Sequence, residues 1–74
     1  MSFTLPADMA VDLKVYNLLG QEVRTLVSGT RSAGVNRVLW DGQDAFGIKV
    51  PSGIYIYRLS SSAGVITRKM TLMK

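Results

Sequence analysis

The stretch WDGQDAFGIKVPSGIYIYRL, Trp40 to Leu59, joins a strand-ending tryptophan to a strongly alternating strand through a loop of turn residues. Asp41-Gly42 and Asp44 with Gly47 supply carboxylates that bond their own backbone and glycines that tolerate φ > 0, and Pro51-Ser52-Gly53 punctuates the entry to the next strand. From Gly53 to Leu59, Tyr55, Tyr57 and Leu59 fall on one face while Ile54, Ile56 and Arg58 fall on the other. Both faces carry apolar side chains, so this strand is expected to be central in its sheet.

Working outward, Val35 to Trp40 is β-branched and aromatic enough for a strand, with Val38 and Trp40 on one face and Arg37 and Leu39 on the other. Trp40 is the expected centre of the core. Met9 to Tyr16 alternates cleanly, Val11, Leu13 and Val15 against Asp12, Lys14 and Tyr16, and Ser2 to Leu5 predicts a short strand stopped by Pro6. In LLGQEVRTLVSG, after Asn17, the alternation lapses because Val23 and Leu26 are three apart, which predicts a bulge or one helical turn. Ser60 to Gly64 reads as a hairpin connection and Val65 to Met73 as a last strand, with Met70 and Leu72 opposed by Lys69, Thr71 and Met73. The glycines at 20, 29, 34, 42, 47, 53 and 64 leave no space for a helix of ordinary length. The expected architecture is all-β: a single domain over residues 1–74, an immunoglobulin-like antiparallel β-sandwich of six to seven short strands.

Composition narrows the function. A chain of 74 residues buries only about 60% of its unfolded surface and has little room for a catalytic cleft. It has no Cys and no His, so the commonest metal ligands and the commonest general base are missing. No enzyme, catalytic residue, cofactor or metal site is expected. Asp41 and Asp44 are conceivable Ca²⁺ ligands, but that ion needs roughly six to eight oxygens, and an Asx-type turn accounts for both carboxylates. Trp40, Tyr55 and Tyr57 are conceivable as a carbohydrate platform, yet the alternation puts them where a sandwich needs core side chains. Nine Lys and Arg face five Asp and Glu, but the basic residues are scattered along the chain, which argues against nucleic acid. No apolar run approaches the ~20 residues that span a bilayer, so stable membrane insertion is not expected. The amino end, MSFTLPADMA, lacks the features of a signal peptide.

Three stretches together carry a resemblance: VDLKVYNLLGQEVRTLVSG (Val11 to Gly29), GVNRVLWDGQDAFG (Gly34 to Gly47) with SGIYIYRL (Ser52 to Leu59), and the terminal TRKMTLMK. The chain resembles the C-terminal sorting domain of type IX secretion substrates, which is similar in turn to the immunoglobulin-like domain of flagellar hook-capping proteins. The resemblance implies a module at the carboxyl end of a larger secreted or cell-surface bacterial protein, recognised by secretion machinery proteins and addressed through the periplasm across the outer membrane. The implied recognition region is the last strand and tail: Arg68, Lys69, Met70, Thr71, Leu72, Met73 and Lys74. Family members begin earlier, with an Asn-Pro-rich segment feeding the first strand, whereas this chain opens at SFTLP after Met1. That departure is the one expected of a module excised from a larger protein; a missing first strand would leave its former neighbour with unpaired N–H and C=O groups, and with them homodimerisation by strand addition or exchange. The alternative reading is a protein-interaction, assembly or accessory carbohydrate or adhesion module.

Overall fold

The computed structural model describes residues 1–73. Six strands follow one another: β1 (Ser2–Leu5), β2 (Met9–Tyr16), β3 (Glu22–Arg31), β4 (Gly34–Arg37), β5 (Gly53–Ser61) and β6 (Gly64–Leu72). They form a four-stranded sheet in the order β3-β2-β5-β6 and a two-stranded sheet of β1 and β4, with every pairing antiparallel. The expected all-β fold is the one observed.

The alternation in β2 positions the rest. Val11, Leu13 and Val15 are 2%, 1% and 0% exposed, because β2 is paired on both edges and its inner face looks into the gap between the sheets. Leu13 lies opposite Val27 of β3 and opposite Leu59 of β5. Leu5 of β1 closes over the same point, and Met1, Phe3, Met9, Leu26, Val38 and Tyr57 pack around it. Burying each such side chain stabilises the fold by about 1.5–3 kcal/mol. In β5, Tyr55 and Leu59 are buried and Tyr57 is half-buried, while Ile54 and Arg58 of the opposite face are exposed.

The lapse of alternation in β3 corresponds to two bulges. Leu13 pairs with Val27 but Lys14 with Thr25, so Leu26 is an extra residue; Val15 pairs with Arg24 but Tyr16 with Glu22, so Val23 is another. Each extra residue bends the strand and raises its twist, and both side chains stay half-buried.

Two expectations are corrected. The strand read over Val35 to Trp40 ends at Arg37, and Val38 beyond it still exchanges both backbone bonds with Met1. The face assignment holds past that end: Val38 packs toward the core and Leu39 is 93% exposed. Trp40 is not the centre of the core. It lies beyond the last strand pair and is half-buried, closing one end of the sandwich edge-on against Tyr55 with ring centroids 5.1 Å apart and planes at 71°.

Leu13→Ala is expected to cost about 2–5 kcal/mol, and Trp40→Ala, at a half-buried position at the end of the sandwich, about 2 kcal/mol. Urea denaturation checks the ranking; a larger loss at Trp40 would return it to the centre.

Candidate functional surface

The end of the sandwich closed by Trp40 is built from two turns of the same design. In Asn17-Leu18-Leu19-Gly20-Gln21, the Asn17 Oδ1 accepts the N–H groups of Leu19 and Gln21, each at 3.0 Å. The Asn17 carbonyl accepts Gly20 N–H at 3.0 Å, and Asn17 N–H donates to the Gln21 carbonyl at 3.0 Å. Asp44-Ala45-Phe46-Gly47-Ile48 repeats every bond: Asp44 Oδ1 accepts Phe46 N–H at 2.9 Å and Ile48 N–H at 3.0 Å. Its carbonyl accepts Gly47 N–H at 3.1 Å and its N–H donates to the Ile48 carbonyl at 2.8 Å. The fourth residue sits at φ 82° in Gly20 and 77° in Gly47, a region that side chains with a Cβ rarely adopt. The third residue is thrust outward, so Leu19 is 84% and Phe46 88% exposed. Ala45 N–H donates to the Val23 carbonyl at 3.1 Å, which ties the second turn to the strand that leaves the first.

The neighbouring residues anchor this end. Asp41 Oδ1 accepts Gln43 N–H at 3.0 Å and Arg24 Nη1 at 3.0 Å. Trp40 Nε1 donates to the Gln43 carbonyl at 2.9 Å, and the Tyr55 hydroxyl donates to the Pro51 carbonyl at 2.7 Å. The carboxylates of Asp41 and Asp44 thus serve as backbone caps. Trp40 and Tyr55 give their polar atoms to the backbone and their rings to one another, which leaves no flat aromatic platform.

The region 68–74 is largely a strand. Arg68 lies opposite Tyr57 and Met70 opposite Tyr55, so Arg68, Met70 and Leu72 share the inner face of the sheet. Lys69 and Thr71 point the other way and are exposed, as is Met73 beyond the strand. Leu72 docks the loop, with its methyl groups 3.4 Å from where a Cβ on Gly42 would stand. Lys74 lies outside the described residues. The six described residues, Arg68 to Met73, therefore do not form one patch.

With strands, sheet order and loop geometry in place, the comparison with known families is decisive: the FlgD Ig-like domain model matches residues 1–64. The chain belongs to the FlgD Ig-like domain family. No curated protein matches it. The match runs from β1 through β5 and ends where β6 begins, so this FlgD Ig-like module carries the residues 68–74 outside the matched span.

The exposed apolar tips of the FlgD Ig-like module, Leu18, Leu19, Phe46 and Ile48, were not legible as a group. The signal that finds them is the shared pattern of an Asx residue followed at the fourth position by Gly, which occurs at 17–21 and again at 44–48. Electrostatics elsewhere on the surface is simple. Lys14 Nζ lies 3.2 Å from the Glu22 carboxylate, and that hydrogen bond, followed by the attraction of the charges, raises the Lys14 pKa above its ordinary 10.5. A raised lysine pKa contributes stability that is complete below 10.5 and is lost as pH climbs through the folded-state value.

Asn17→Ala and Asp44→Ala should each cost about 1 kcal/mol, whereas Leu19→Ser and Phe46→Ser should stay within about 0.5 kcal/mol. Thermal melts of the four variants check this, and comparable losses at tips and caps would mean that the tips are packed. Glu22→Gln should lower the Lys14 pKa toward its ordinary value, read by NMR titration of the side-chain ammonium.

Proposed function

We propose that this FlgD Ig-like module is a non-catalytic sorting and anchoring domain of a secreted bacterial protein, recognised by export machinery on its way through the periplasm to the cell surface or medium. The observation that carries the reading is the placement of the terminal TRKMTLMK sequence, which resembles the end of type IX sorting domains and lies outside the matched family span. Its basic, polar outer face, Lys69 and Thr71, stands exposed on β6, which among the described residues is an edge strand paired on one side only, by β5. A receptor can read those side chains without dismantling the core. The cross-strand resemblance over Val11 to Leu59 supports the same role by analogy.

The geometry also decides how the role is to be tested. Removing residues 68–74 would strip β5 of its partner from Gly53 to Tyr57 and take Met70 and Leu72 from the inner face. Loss of export would then report unfolding. Substitutions on the outer face keep the pairing. A periplasmic reporter fused ahead of the domain, in a bacterium with type IX machinery, is expected to reach the surface or medium, and Lys69→Glu with Thr71→Glu should sharply reduce that export while the melting midpoint is held. A folded wild-type fusion retained in the periplasm would overturn the sorting role and leave an accessory or assembly module that binds through another surface.

A further inference from the structure

Beside β1 runs a cleft of about 240 Å³, floored by Leu13, Tyr57, Leu59 and Ile66 and bordered by Arg68. A smaller hollow of about 60 Å³ prolongs it past Leu5 and Pro6 toward Gly64. The sheets differ in width, two strands against four, and the space between β1 and the Ile66 and Arg68 side of β6 is left open. Ile66, opposite Leu59, therefore belongs to the core-facing side and is still 48% exposed.

The backbone bordering the cleft is a hydrogen-bonding edge. Met1 and Val38 exchange both of their bonds, at 2.9 and 2.8 Å. Bonded and non-bonded pairs alternate along an antiparallel ladder, so Phe3 with Asn36 and Leu5 with Gly34 are the next bonded pairs. Ser2 and Thr4 then aim their N–H and C=O groups away from β4, over the cleft, and among the described residues no strand meets them there. Arg68 lies on the inner face of β6 opposite Tyr57, on the border of the same space. Among the described residues the ion pairs are Lys14 with Glu22 and Arg24 with Asp41, and neither takes Arg68.

We infer that this flank accepts one extended segment of another polypeptide, apolar at alternate positions and carrying a carboxylate side chain that meets Arg68. An extended chain matches the edge because its own N–H and C=O groups recur at every second residue, as those of Ser2 and Thr4 do, while its alternate side chains drop into the apolar cleft. The guanidinium supplies the choice of charge. A second copy pairing through its own β1 brings no carboxylate to Arg68 from that strand, whose residues Ser2 to Leu5 carry none. The inference goes beyond the sorting role and does not rest on it.

The test uses a blocked heptapeptide alternating valine with threonine, one valine replaced by glutamate, and its lysine counterpart, each titrated into the isotope-labelled protein. The glutamate peptide should give saturable shifts at Ser2, Thr4, Ile66 and Arg68, slow amide exchange at Ser2 and Thr4, and bind about tenfold tighter than the lysine peptide. Arg68→Glu should reverse that preference and Arg68→Gln abolish it, with the exposed position leaving the fold intact. Absence of saturable binding, equal affinity for the two peptides, or shifts confined to other surfaces would overturn the inference. Exchange protection at Ser2 and Thr4 that rises with protein concentration in the absence of peptide would overturn it in favour of self-pairing.

Discussion

The inner face of β2, formed by Val11, Leu13 and Val15, is the surface against which the other elements are positioned. β3 and β5 hold its two edges, and Leu5 closes it from the opposite sheet. A domain of this size has little apolar area in reserve, so the seal around one strand has to be nearly complete, and it is. The cost of that concentration appears at β6, whose inner face is left only partly covered. Core and cleft thus both lie between a narrow sheet and a wide one.

The strands whose partners lie on both sides were the most legible. β2 and β5 alternate because each has one face in the core, and their periodicity survives in the sequence without knowledge of the partners. The irregularity of β3 was legible as well, since a bulge displaces the pattern by one residue and leaves Val23 and Leu26 at an odd spacing. Trp40 misled for the opposite reason. Its size and its place in the alternation suit a core residue, but burial depends on where the strand ends, and Trp40 lies beyond Arg37, the last residue of β4. Nothing local in the sequence marks that point.

The surface was harder to read than the core. Asp41 and Asp44 announced turn chemistry, because a carboxylate within reach of its own backbone N–H groups is a local matter. The kinship of the 17–21 and 44–48 turns involves segments far apart in sequence, and their presence at one end of the molecule depends on the Ala45–Val23 bond. The terminal residues illustrate the same limit. Read as a tail they form one basic-apolar run, whereas strand geometry sends Arg68 to the cleft and Lys69 to the outer surface.

The twin turns bear on the order in which the chain assembles. Every hydrogen bond within each turn spans four residues or fewer, so each can close on the microsecond scale of an isolated hairpin, about 1–10 μs. The 17–21 turn then presets the meeting of β2 with β3, and the short connection after Ser61 does the same for β5 with β6. The seam between β2 and β5 enjoys no such help: Tyr16 must find Ile56 across thirty-nine intervening residues, a closure whose entropy is lost before any contact rewards it. The β2–β5 seam thus closes a far longer loop than either hairpin, and the 44–48 turn folds part of that loop back onto β3 through the Ala45–Val23 bond.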